Sequence, residues 1–460
     1  MSNGRSAFSF VGPARAAGLL GVAGLAWLSS CSSEGGAKVL PPPTGHYEGR
    51  ISYQGADLRT ALDLREIKPG QLQADLRFAD LQGLGFPAEN LTFKSPQLHF
   101  ERQPGAVGNM AVDAIREGDF LRGFFSTDSV KADLLLVRRG KPDPRPYRTQ
   151  TLQFRSGPLT FRGSLLIPDD TLSRHPAVVL LHAADAPRQR DLNAYADLLA
   201  RQGFMTLVYD RRDASQPGSP AAQLLAEDAQ AAVQALRKNA AVDSARVGLW
   251  GIRQGGNVAA LAAGQPGRQV AFVVSLSAPG ISPAAARQEQ MTARLRQQGV
   301  KQAQIRQAQQ AAAQLERYVR RGNEGDSAQL HQALQRIGPE PWVSLTELPR
   351  RVPTAAELQS QPQWRDFLLD PRTAWQQVRV PVLLLYGAAD THFNARESAQ
   401  RLRGVVGYRR GSAVRVYANA DHELMLPSGV RPDTDGRWDW SRPAPGAVED
   451  MLTWMKQAVK

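Results

Sequence analysis

The hydrophobic pattern divides the chain into two parts. From about Tyr47 to Arg139 apolar and polar residues alternate with a period of two, as in strands with one buried face. Leu58, Thr60, Leu62 and Leu64 point one way, and Arg59, Ala61, Asp63 and Arg65 the other. Leu72, Ala74, Leu76 and Phe78 repeat the alternation after a Pro69-Gly70 turn. Short strand candidates follow at Gln97–Glu101, Met110–Ile115, Asp119–Phe125 and Ala132–Val137. The pattern predicts an all-β domain over residues 46–140, a small barrel or sandwich. Its sequence holds no cluster of His, Cys and carboxylates at metal-ligand spacing. The role expected of it is to pack on the next domain or shape its entrance, with lipid or glycan binding as the alternative.

The pattern changes after Lys141-Pro-Asp-Pro-Arg-Pro146, a proline-stiffened linker within 141–150. Two edge-strand candidates, Thr151–Arg155 and Leu159–Ile167, precede a series of continuous apolar runs. The runs are Ala177–His182, Met205–Tyr209, Val247–Trp250, Val270–Leu276, Val380–Tyr386 and Val414–Tyr417. Apolar runs without alternation imply a sheet covered on both faces. Helical stripes lie between them, such as Leu225, Ala229, Ala232 and Leu236 within Ala221–Lys238. This alternation predicts a doubly covered, mostly parallel α/β sheet over 151–460. Between the runs ending at Leu276 and starting at Val380, Ala284–Arg321 is rich in Gln, Ala and Arg. Trp342, Trp364, Phe367 and Trp375 then appear among prolines. A helical cap inserted at about 281–378 is expected, its Gln/Arg-rich part solvated.

Composition adds a location. Residues 1–30 read as an export signal, with Arg5 and Arg15 flanking Ala16–Leu28, an apolar run too short to span a bilayer. Leu28-Ser29-Ser30-Cys31 resembles a bacterial lipobox, which implies cleavage before Cys31 and acylation of its thiol, and so a membrane partner through this anchor. Ser32 after Cys31 implies retention at the outer membrane, facing the periplasm. Cys31 is the only cysteine, so an internal disulfide is excluded. Residues 31–45, with Gly35-Gly36 and Pro41-Pro42-Pro43, read as a tether. The net charge of +13 is spread along the chain. No basic block with interleaved aromatics concentrates it, which argues against nucleic-acid binding and for a basic surface near an anionic envelope.

The candidate chemistry centres on Val247–Gly256, read Val-Gly-Leu-Trp-Gly-Ile-Arg-Gln-Gly-Gly. A short apolar run meets a Gly-x-Arg-x-Gly turn and then a small-residue helix, Asn257–Ala263. That is the local shape of a nucleophile elbow, G-x-S-x-G, in which glycines remove the Cβ atoms that would clash. Arg253 stands where a serine hydrolase carries Ser. Its guanidinium is permanently protonated and has no lone pair to offer, so it is not a nucleophile.

Other motifs fall in order around the elbow. Leu180-Leu181-His182 and Tyr209-Asp210-Arg211-Arg212 follow strands, and Asp243–Val247 leads into the turn. Tyr386-Gly387-Ala388-Ala389-Asp390 and Ala420-Asp421-His422 come after it. Residues 151–460 thereby resemble the α/β-hydrolase superfamily, and more narrowly bacterial esterases and acyl hydrolases of the dienelactone-hydrolase and S9-peptidase-like branch. The resemblance implies Asp390 as catalytic acid, His422 as base and Arg253 at the nucleophile position. It implies oxyanion-hole positions at Ala183 and Gln254, and neither a metal nor a cofactor. The loops have drifted as well: the oxyanion stretch reads His182-Ala183-Ala184-Asp185, and Arg212-Asp213-Ala214-Ser215 lacks the family's glycines.

Three readings follow. The first is a lipid-anchored protein of carboxylic ester or thioester hydrolase ancestry that has become a pseudo-hydrolase, binding a small acyl ester or anionic ligand. The alternative is an active acyl-ester hydrolase using His422 and Asp390 with water, or with a relocated serine such as Ser215 or Ser277. In the third, the hydrolase domain is a platform for a binding β domain.

Overall fold

A computed structural model describes residues 40–460, apart from 103–109, 128–129, 184–187, 213–221, 266, 268–269, 362–363, 365 and 431–436. The signal segment, Cys31 and most of the tether therefore lie outside the described residues. No helix among the described residues is long and apolar enough to cross a membrane.

The alternating region forms nine strands: β1 (Gly45–Tyr53), β2 (Ala56–Lys68), β3 (Gln71–Phe78), β4 (Gly85–Pro87), β5 (Glu89–Lys94), β6 (Gln97–Arg102), β7 (Met110–Glu117), β8 (Phe120–Thr127) and β9 (Lys131–Gly140). They pair in the order β4-β3-β2-β1-β9-β8-β7-β6-β5, each pairing antiparallel. The two end strands β4 and β5 are separated only by Ala88, whose N–H donates to the Ala74 carbonyl of β3 at 2.9 Å, so the chain itself brings the ends of the sheet together. One departure from the alternation lies in its covering. Leu58, Leu62, Leu64, Leu76 and Phe78 are buried as their period requires, but Asp63 and Asp75, on the face expected to be solvated, are buried too.

The proline-rich linker covers them. The backbone N–H of Asp143 donates to Asp63 Oδ1 at 2.9 Å, and Arg145 lays its guanidinium on the Asp75 carboxylate. Arg65 reaches Asp75 Oδ2 at 2.8 Å and Arg201, from the following domain, at 3.4 Å. Burial pushes the Asp75 carboxyl upward, and Arg145, Arg65 and Arg201 together outweigh it, holding the group below the usual carboxylate range.

The second sheet has eight strands: β10 (Tyr147–Ser156), β11 (Leu159–Pro168), β12 (His175–Leu181), β13 (Met205–Tyr209), β14 (Val242–Ile252), β15 (Val273–Leu276), β16 (Val382–Gly387) and β17 (Ala413–Tyr417). Their order is β10-β11-β13-β12-β14-β15-β16-β17. β11 runs antiparallel to β13, and every pairing from β13 through β17 is parallel. Such a sheet needs cover on both faces, and alternate side chains supply two cores. Val179, Leu207, Leu249, Val273 and Leu384 pack under α2 (Ala222–Arg237) and α3 (Gln254–Gly264). Val178, Val208, Trp250, Val274 and Leu385 face the other way. There they join residues of α1 (Asn193–Arg201), of the C-terminal helix Ala447–Ala458, and of the nine-stranded sheet. Trp250, fully buried, donates Nε1–H to Met451 Sδ at 3.3 Å.

The insertion between β15 and β16 is helical: α4 (Pro283–Gln297), α5 (Gln302–Arg321) and α6 (Glu324–Ile337), followed by shorter turns. The Gln/Arg-rich stretch breaks at Gly299, whose φ of +69° is open to glycine at no steric cost. Nor is it wholly solvated, because Met291, Leu295, Ile305 and Ala308 bury a small core of the cap's own.

Candidate active site

The strand-to-helix turn between β14 and α3 holds Arg253 at φ +51°, ψ −117°, a conformation that non-glycine residues rarely adopt. Two hydrogen bonds enforce it. Arg253 N–H donates to the Leu276 carbonyl at 2.7 Å, and Gly256 N–H donates to the Arg253 carbonyl at 3.0 Å. The flanking glycines permit the approach: a Cβ at Gly251 would stand 2.3 Å from the Gly255 carbonyl oxygen, and one at Gly256 2.0 Å from Ser275 Oγ. The backbone of a nucleophile elbow is therefore intact, with a guanidinium at its tip.

The turn sits at the C-terminal ends of the parallel strands, where such sheets keep their sites. Asp390 lies three residues past β16 and His422 five past β17. The structure brings them together, but a third group stands between the expected roles. Asp390 Oδ1 accepts the backbone N–H of His392 at 2.7 Å and lies 3.4 Å from His392 Nδ1. The His392 and His422 rings are 4.1 Å apart between centroids, at 69°. No hydrogen bond joins Asp390 to His422, so the acid does not fix the base's tautomer as a serine triad requires. Burial lowers the His422 pKa, the neighbouring His392 and Arg253 lower it further, and Asp421 and Asp390 oppose them. Arg253 is half-buried; desolvation draws its pKa down against the pull of Glu423 and Asp390.

Arg211 bridges the two positions expected to form the oxyanion hole. Ala183 is buried after β12, and its carbonyl accepts from Arg211 Nη1 at 3.3 Å. The same nitrogen donates to Gln254 Oε1 at 2.9 Å, pinning the residue after the elbow tip. Ala184, Asp185 and Ser215 lie outside the described residues. Ser277 is fully buried with its hydroxyl unbonded, and nothing joins it to His422.

Between the elbow and the cap lies a cavity of about 290 Å³. Val258, Ile281, Leu369 and Phe393 line its apolar side; Arg253 and Arg287 bring positive charge, and Asp366 is the one acid on its wall among the described residues. Asp366 Oδ2 is already occupied, accepting the Ala222 N–H at 2.7 Å. Arg287, on α4, is exposed and lies over the Phe367 ring, Cζ 5.6 Å from its centroid. Sequence reasoning missed His392, Arg211 and Arg287. A histidine two residues after the acid was visible as Asp390-Thr391-His392, whereas the other two declare themselves only once the cap is folded over the sheet.

Residues 160–408 match the X-Pro dipeptidyl-peptidase (S15) family. The chain belongs to that family. The S15 match covers most of the parallel sheet, the elbow and the cap, agrees with an α/β-hydrolase fold, and ends before His422. Among Escherichia coli proteins, an uncharacterised 31.7 kDa protein of the traX-finO intergenic region is 28% identical over 123 residues, 26% of this chain and 41% of that protein. The uncharacterised protein YcjY of strain K12 is 31% identical over 117 residues, 24% of this chain and 38% of its own. The chain thus spans about two fifths of the length of these curated relatives. Among solved structures, DcsB in complex with a substrate analogue aligns at 19% identity and TM-score 0.43, covering 68% of this chain and 99% of that one. Dienelactone hydrolase from Anabaena variabilis aligns at 15% and 0.38, covering 68% and 100%.

The sequence holds no metal-spaced cluster in the β domain, but the fold assembles one. His46, Asp63 and Asp143 place ligand atoms within 4.8 Å of one another, because β1 and β2 pair His46 directly with Asp63. Its carboxylate is already committed: Asp63 accepts from His46 Nδ1 at 2.9 Å, from Arg77 and from the Asp143 N–H.

Proposed function

We propose that this member of the S15 family is a pseudo-hydrolase, anchored to the cell envelope through Cys31, that binds a small carboxylate-bearing ligand where its ancestors cleaved acyl groups. The observation carrying this reading is Arg253: a permanent cation in the conformation that presents a nucleophile. A guanidinium there removes serine chemistry and supplies a forked donor that matches a carboxylate. Arg287 adds a second, exposed cation across a cavity whose other wall is apolar, which suits a short amphiphile such as an acyl chain with its acid group freed. The lack of a hydrogen bond between Asp390 and His422 and the enclosed Ser277 weigh against turnover by the alternative route.

Calorimetry of the full-length protein in detergent, with EDTA present, against butyrate, hexanoate, benzoate and their neutral amides tests the reading. Carboxylates bind and amides do not. Arg287→Gln weakens binding by about tenfold or more, since a hydrogen bond to a charged group is worth roughly 1.5–3 kcal/mol. Equal affinity for amide and acid, or none for either, overturns it.

A further inference from the structure

The inherited acid and base call for one histidine, and the site holds two. The Asp390 side chain is wholly enclosed, and its Oδ2 has no hydrogen-bond partner. His392 Nδ1 is likewise buried and unbonded. A buried, unpartnered carboxylate oxygen costs free energy unless something occupies it. One ligand atom each from Asp390, His392 and His422 lie within 4.8 Å of one another. Around them, among the described residues, the carboxylates of Asp390 and Asp421 face the guanidinium of Arg253. With neutral imidazoles this corner carries an excess of negative charge that a divalent cation would offset. The Asp421 carboxylate, accepting the N–H groups of Glu423 and Met425 at 2.8 and 2.9 Å, is held too firmly by its own turn to be a ligand itself.

We propose that Asp390, His392 and His422 form a site for a divalent transition-metal ion of the zinc type. Two imidazoles and one carboxylate are a donor set zinc accepts, and three protein ligands leave a position open. His392 lines the cap cavity, so the cluster borders the space where a ligand carboxylate would lie. Ligand atoms bound to one zinc at about 2.1 Å stand roughly 3.4 Å apart. The cluster closes to that spacing by shifts of about 1 Å, within reach of rotating two half-buried rings. Arg253 opposes the ion, and its charge is shared with Glu423 and Asp390. The saturated carboxylate of the His46, Asp63 and Asp143 group makes that cluster the internal comparison.

The full-length protein, stripped with EDTA and then titrated with Co²⁺ and Zn²⁺, tests the assignment. One equivalent of Co²⁺ binds with visible absorption, and Zn²⁺ displaces it. His392→Ala and Asp390→Asn each weaken the affinity by more than about tenfold, as loss of a ligand must exceed loss of a second-layer partner. Arg253→Ser tightens it. Circular dichroism shows the variants folded, and His46→Ala binds as the native chain does. Absence of stoichiometric binding overturns the site, as does binding that survives His392→Ala and Asp390→Asn or is lost in His46→Ala. Because carboxylate binding is measured with EDTA present, either proposal fails without the other.

Discussion

Gly255 and Leu181 approach so closely that a Cβ on the glycine would stand 2.2 Å from the Leu181 carbonyl oxygen. This contact seats the N-terminus of α3 against the end of β12 and fixes the height at which Arg253 projects. Gly255→Ala forces backbone apart in a packed core and costs about 1–3 kcal/mol, with strain at the elbow added. Denaturant unfolding checks it: the midpoint falls relative to Gly404→Ala, a position in the helix Ala395–Val406 where a Cβ meets nothing within 4 Å. An unchanged midpoint contradicts the close approach.

Asp75 ties the nine-stranded sheet to the linker and to α1 through Arg65, Arg145 and Arg201. Asp75→Asn leaves three guanidinium groups facing an uncharged amide. Breaking a buried ionic network by removing one partner costs about 3–5 kcal/mol. The expected result in thermal unfolding is a large fall in Tm, with protease cleavage appearing near the 141–146 linker. A fall no greater than that of Asp119→Asn, an exposed member of a 3.9 Å pair, argues against the network.

His422 gives a pH signature. Its pKa is lowered in the folded protein, so the unfolded chain binds the proton more readily. Its contribution to stability is therefore present above the ordinary histidine value of 6.5 and is lost as pH falls through the window below it. Between about pH 7 and about pH 5 the native protein loses more stability than His422→Gln does. Parallel pH profiles for the two would show that the imidazole is not held neutral.

Anchoring through Cys31 predicts a fractionation result. The native chain, expressed in a Gram-negative host, sediments with membranes and incorporates labelled palmitate. Cys31→Ser takes no label, because the thiol that carries the acyl chain is gone. Palmitate incorporation by Cys31→Ser contradicts the anchor.

Much of the fold was legible because burial on both faces leaves continuous apolar runs. Val179, Leu249 and Leu384 face one core while Val178, Trp250 and Leu385 face the other, so apolar residues fill both sides of those runs, with His182, Thr206 and Ser275 as buried exceptions. The elbow was legible for a similar reason, since glycine at positions 251, 255 and 256 answers to contacts that only a missing Cβ allows. The two aspartates of the β domain were not. Period two assigns Asp63 and Asp75 to the solvated face, and only arginines distant in sequence make their burial tolerable. In the site, residue types revealed that Arg253 is no nucleophile, but not that His392 enters beside His422, because a loop after a strand has no period to read.

The most direct test of the central claim is hydrolysis of p-nitrophenyl butyrate, with fluorophosphonate labelling, by the full-length protein in EDTA. Native protein, Arg253→Ser and His422→Ala are compared. The account predicts that the native chain turns over no faster than His422→Ala and takes no label, while Arg253→Ser becomes labelled at residue 253. Native turnover that His422→Ala abolishes would contradict it, and would mean that the elbow's arginine coexists with catalysis.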